Sequence, residues 1–249
     1  MSDPAGPAQL DVTARRDAWW AGPALTALGL LAFGVYATFR AIQNDHYLVD
    51  WPGFGELLSP FYSPLIVLPW LPAWISPAFL ILWAPGGFRM TCYYYRKAYY
   101  RSLFADPFAC AVGEPRGHSY QGERRLFLFQ NLHRYFLYLA LAFLVVLALD
   151  TVRSCIGPDG FQVTVGTLVL AANTALLTIF TFSCHALRHL VGGKFDCFSC
   201  PTRYRLWKGV SRLNEHHMFW AWTSLFMVGF ADFYVWMVAS GAFVDARIF

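Results

Sequence analysis

Two cysteines two residues apart, Cys197 and Cys200, stand in a short basic stretch, with His185 and His189 before it and His216 and His217 after it. Sulfurs at that spacing can turn toward one metal, and Gly192 and Gly193 allow the chain to fold back ahead of them. Two imidazoles would complete four ligands. That inventory fits a structural Cys2His2 zinc site, and it fits equally a Rieske-type [2Fe-2S] cluster, in which two cysteines hold one iron and two histidines the other. A third reading clamps haem b between His133 or His185 and His217 on facing helices, which leaves the cysteine pair without a role. The bland reading is an inert thiol pair. Iron in either form would make this a site of electron transfer.

The elements that must position such a site are membrane spans. Of the 249 residues 57% are apolar and 14% charged, and several windows near the length of a span carry few or no charges. The fold class expected is an all-α integral membrane protein, a five-transmembrane-helix bundle forming a single domain over 1–249. Spans are expected at about 19–41, 76–100, 132–149, 163–190 and 217–240, with long basic segments at 101–131 and 191–213. The second is the hardest to place. Pro64, Pro69, Pro72 and Pro77 oppose a continuous helix, so its start is put near Ser76 or Pro77, with a kink at Pro85, Gly86 and Gly87. The first apolar run lacks a small-residue cleavage site and reads as a retained span rather than a signal peptide. Sixteen of the 19 lysines and arginines fall on one side of this layout, which places the amino terminus in the cytoplasm and the carboxyl terminus outside.

Histidines share one depth near the cytoplasmic boundary: His133 opens the third span, His185 and His189 close the fourth, and His216 and His217 open the fifth. In the fourth span Thr174, Thr178, Thr181, His185, Arg188 and His189 recur at three- and four-residue steps, so a continuous helix would put them on one face directed into the bundle. An ionisable group within a span is costly and ordinarily meets a partner or a cavity, which singles out Arg188. The competing reading packs the threonines between helices and lets Arg188 reach headgroups. The basic, aromatic segment from Arg89 to Arg134 suits a docking surface or anionic lipid. Cys92, Cys110, Cys155 and Cys184 are expected to be packing residues or spare thiols.

Three segments, Cys92 to Tyr100, Cys184 to Gly193 and Asn214 to Trp222, resemble the membrane-anchor, cytochrome b-type subunits of succinate dehydrogenase and fumarate reductase, in their actinobacterial branch. The resemblance implies a subunit that anchors a flavoprotein and an iron-sulfur subunit on the cytoplasmic face of a bacterial cell membrane. It also implies reduction of a quinone here, menaquinone or ubiquinone, by electrons from succinate. Di-haem relatives carry histidines on the first and second spans, which this chain does not. The resemblance is therefore to the haem-free branch, which carries a Rieske-type cluster. Carried onto this sequence, it implies metal ligands Cys197 and Cys200 with two imidazoles from His189, His217 and His185, and His133 next. Quinone-binding candidates are Arg188, His216 and Trp220. The opposing expectation, from another class, is a non-catalytic scaffold with structural zinc. A transporter is disfavoured because the two halves show no repeat.

Overall fold

The computed structural model describes residues 13, 15–50, 55–72, 74–105, 109–112, 132–158, 160–192 and 200–249. Its helices, in chain order, are α1 (Ala21–Gln43), α2 (Pro77–Ile81), α3 (Trp83–Thr91), α4 (Tyr93–Leu103), α5 (His133–Arg153), α6 (Val165–Phe182), α7 (His185–Gly192), α8 (Pro201–Glu215) and α9 (His217–Ala239). Two short antiparallel pairs join them at one end: β1 (Leu48–Val49) with β2 (Leu57–Leu58), and β3 (Ile156–Gly157) with β4 (Gly160–Phe161). Among the described residues four helices, α1, α5, α6 and α9, are long and apolar enough to cross a membrane. Leu25, Leu28, Leu31 and Val35 stand exposed along α1. Such a face is stable only against an apolar solvent.

The second expected span is three short helices. Ser76 caps α2 by accepting from the Ala78 N–H, and Pro77 occupies the first helical position, where its missing N–H costs nothing. The break falls at Leu82, ahead of the expected kink, because Pro85 has no N–H to give the carbonyl of Ile81 and is accommodated in the first turn of α3. A second break comes at Cys92, whose backbone is extended and whose N–H turns back to the Arg89 carbonyl. From there α4 leaves the α3 direction and packs against α1. At Gly87 an added Cβ would lie 2.3 Å from a Phe136 ring carbon, so the absence of a side chain is what lets α3 approach α5.

The fourth expected span is likewise divided. Thr164 opens α6 with a reciprocal capping box to Thr167, and the helix stops at Phe182. Ser183 and Cys184 then reset the chain before α7. The single face expected from Thr174 to His189 therefore does not exist: Thr181 is buried while His185 and His189, past the break, are exposed.

At the opposite end of the bundle Arg40 and Asp232, both fully buried, join α1 to α9 through a 2.8 Å Nε to carboxylate contact. Tyr36 and Ser59 each donate to the same carboxylate at 2.5 Å, and Trp236 lies 4.9 Å from the guanidinium carbon. Asp232, without an assignable role in the sequence, is the hub of this network.

Candidate functional site

The end of α3, the start of α5, the break between α6 and α7, and the start of α9 meet at one end of the bundle. Each delivers one donor at an element boundary. The Cys92 sulfur lies 3.3 Å from His217 Nε2, and the Cys184 sulfur 2.9 Å from His133 Nε2. The other nitrogen of each ring is held by a hydroxyl: His133 Nδ1 lies 2.9 Å from Thr91 Oγ1, and His217 Nδ1 lies 2.6 Å from Ser183 Oγ. Phe88 stacks on His133 with centroids 4.7 Å apart, Phe180 stacks on His217 at 5.2 Å, and the two phenyl rings meet edge to face. Both imidazoles are thus fixed in plane and tilt, with Nδ1 engaged and Nε2 aimed at sulfur. Metal-bound histidines are ordinarily oriented in this way, by a hydrogen bond from the nitrogen that does not bind.

Cys92, Cys184, His133 and His217 all line one cavity of about 530 Å³, with His185, His189 and Asn214 on its wall. Cys184 is buried in the wall of this cavity. Left to itself it is a neutral thiol at pH 7, and a bound metal would ionise it. Among the described residues no three histidine, cysteine or carboxylate groups are placed to hold one metal ion. The donors come as two thiol and imidazole pairs on one cavity.

The expected ligands are distributed differently. His217 is at the centre of the site. His185 and His189 reach the cavity wall but face each other, Nε2 to Nε2 at 2.9 Å, on the exposed side. Burial, then His189 and Arg188, hold the His185 imidazole below its usual range. Cys200 is exposed at the start of α8, and Cys197 lies outside the described residues. Of the quinone candidates, Arg188 bonds Ser211 at 3.0 Å and sits over Trp207, turned toward α8. His216 is exposed, and Trp220 packs on the core with its indole N–H buried and without a partner. No described side-chain contact joins these three. The sequence-based expectation put Cys92 and Cys184 among packing residues or spare thiols, did not single out Thr91 or Ser183, and ranked His133 behind His189, His217 and His185.

Residues 21–241 match the family described as actinobacterial succinate dehydrogenase subunit SdhC. The chain belongs to this family. Comparison with curated proteins found no match. Among solved structures it is similar to a chain of the Mycobacterium smegmatis Sdh1 complex in the apo form, at 40% identity and a TM-score of 0.87, over 99% of this chain and 97% of that one. As a member of the SdhC family it is a multi-pass membrane subunit of respiratory complex II, and it acts as part of succinate dehydrogenase.

Proposed function

We propose that this SdhC family member passes electrons from an iron-sulfur subunit to quinone through a Rieske-type [2Fe-2S] cluster held by Cys92, Cys184, His133 and His217. One observation carries the reading: two buried thiols face two imidazoles across one cavity, and each imidazole already has its second nitrogen engaged. Cys197 and Cys200 leave the ligand set because both imidazoles already have a sulfur partner and Cys200 is exposed. Haem would leave Cys92 and Cys184 unexplained.

When bound, such a cluster supplies a one-electron carrier of raised potential, as imidazole ligation does in comparison with thiolate. The residues of the chain do the rest. Thr91 and Ser183 fix the ring tautomers, Phe88 and Phe180 hold the ring planes, and the break at Ser183 and Cys184 turns a sulfur inward that a continuous helix would have carried elsewhere. Asn214 donates to the Ser183 carbonyl at 2.7 Å and keeps that break in place.

In this reading α2 and α3 make the fifth crossing of a single domain, with the amino terminus cytoplasmic and the carboxyl terminus outside. The site lies at the end from which the basic segments emerge, so electrons enter from the cytoplasmic side, where the flavoprotein and iron-sulfur subunits dock. The membrane is the bacterial cell membrane. Electron paramagnetic resonance of the reduced complex, beside its optical spectrum, tests the cofactor. A low average g value without b-type haem absorption is expected; a haem band alone would recast the histidines as axial ligands, and neither signal would leave the zinc scaffold.

Thr91→Val and Ser183→Ala each remove the partner of one Nδ1. Loss of such a support typically weakens metal binding by about 10- to 100-fold. Iron content per complex, and the intensity of the cluster signal, are expected to fall in both variants, and more in the double variant. Full iron content in the double variant would show that the hydroxyls do not position the ligands.

A further inference from the structure

The histidine pair at the rim of the thiol and imidazole cavity has no part in the proposed donor set. His185 and His189 stand one turn apart on α7, both exposed to solvent and both on the wall of that cavity. Their rings meet edge to face at 84° with centroids 4.5 Å apart, and the two Nε2 atoms converge to 2.9 Å. Two imidazoles four residues apart on one helical face are a compact arrangement for clamping a single metal ion. Without a metal, one ring donates its N–H to the lone pair of the other. With a metal, the donor ring carries its proton on Nδ1 instead, and both Nε2 lone pairs face the ion.

The spacing selects the ion. Bonds of about 2.0–2.1 Å place two nitrogens roughly 2.9 Å apart when they meet at a right angle, and roughly 3.3 Å apart at a tetrahedral angle. The observed 2.9 Å is the right-angle value. Tetragonal Cu2+ and Ni2+ adopt that angle, and Zn2+ requires only a small shift of two exposed side chains. Magnesium and calcium, which take oxygen ligands, do not suit the pair.

Among the described residues no third histidine, cysteine or carboxylate joins these two. Arg188 turns its guanidinium toward Ser211 and Trp207, yet its charge still opposes a dication. Water fills the remaining coordination positions, so the ion exchanges rather than staying as a structural metal does. Its place gives it an effect. His185 directly follows Cys184, and the cavity that the pair borders holds the four proposed donors. A dication on that wall favours the reduced, more negative state of a cluster inside and raises its potential. Electrons held more tightly pass to quinone more slowly.

We propose that His185 and His189 form a reversible inhibitory site for a divalent late first-row transition metal, Ni2+, Cu2+ or Zn2+, at the rim of the cluster cavity. The clamp stands on the histidine geometry alone, and its effect on turnover rests on the reading of the preceding subsection.

The test uses the intact complex, purified without a histidine tag and stripped with a chelator, with Ni2+ as the probe. Equilibrium dialysis is expected to show one Ni2+ per complex that the double variant, His185→Gln with His189→Gln, lacks. Either single replacement leaves one imidazole and is expected to weaken that binding by about 10²-fold, the usual gain from tying two binding groups together. Mg2+ is expected not to compete. Added Ni2+ is expected to slow succinate-to-quinone turnover of the parent, to release it on chelation, and to raise the midpoint potential of the cluster resonance. Both responses are expected to vanish in the double variant, and succinate oxidation by a soluble dye to respond in neither protein. Equal Ni2+ binding by parent and double variant would overturn the site. Binding without change in turnover or potential, or inhibition that persists in the double variant or extends to the dye assay, would overturn the inhibitory role. Absence of the cluster resonance from the untreated parent would instead strike the preceding reading, leaving dialysis to decide the clamp.

Discussion

Replacing His133 and His217 together by alanine is expected to abolish quinone reduction by the complex while leaving succinate oxidation by a soluble dye near the parent rate. Each histidine occupies the first residue of its helix, where alanine is a good helix former, so α5 and α9 should still form. What is lost is Nε2 opposite each sulfur, and with it half of the proposed donor set. The single variants are less decisive, since water or a neighbouring side chain can take one vacated position. A matched control is the double replacement of His185 and His189, which bond each other on the exposed rim. That protein is expected to keep its cluster resonance and its quinone activity. If the rim pair abolished turnover and the inner pair did not, the ligand assignment would have to be reversed.

Asp232→Ala should be among the most destabilising single substitutions in the chain. It strands Arg40, which has no exposure to solvent, and removes the acceptor used by Tyr36 and Ser59. Breaking one side of a buried pair costs about 3–5 kcal/mol, most of it from the charge left behind. Asp232→Asn keeps an acceptor oxygen but not the charge and should fall between the parent and the alanine variant. Replacing both partners, as in Arg40→Met with Asp232→Leu, should recover much of the loss, because the desolvation penalty goes with the charges. Thermal unfolding of the complex in detergent reads all three. A double variant no more stable than Asp232→Ala would mean that the hydrogen bonds, and not the ion pair, hold this end.

The long apolar helices were legible because length and lack of charge suffice to mark them. The breaks were not, because they depend on single backbone events: the missing N–H of Pro85, the extended conformation of Cys92, and the hydroxyl and amide that Ser183 and Asn214 put against the α6 terminus. The common level of the histidines was legible too, and His133 and His217 are the pair that meets sulfur. Their sulfur partners were hidden by sequence distance. Cys92 and Cys184 are isolated in the chain, while Cys197 and Cys200 advertise a ligand spacing. One local signal was present, a hydroxyl residue immediately before each buried cysteine, at Thr91 and Ser183. Ser154 before Cys155 and Ser199 before Cys200 share it, so alone it does not discriminate. The segments that carried the family resemblance begin at Cys92, begin at Cys184 and contain His217, which places three of the four proposed donors inside them.

The ion pair between Arg40 and Asp232 also sets an order of events during synthesis. Its partners are 192 residues apart, so at about 5–20 residues per second the first helix waits on the order of ten to forty seconds before its carboxylate exists. Through that interval Arg40 must stay near water or headgroups, and α1 can only sit shallowly at that end. The arrival of α9 neutralises the guanidinium and lets α1 settle to its final depth. Closure of the bundle is thus a late event that follows release of the last helix, and a chain cut short before Asp232 would present its first helix to quality control with a charge it has no means to bury.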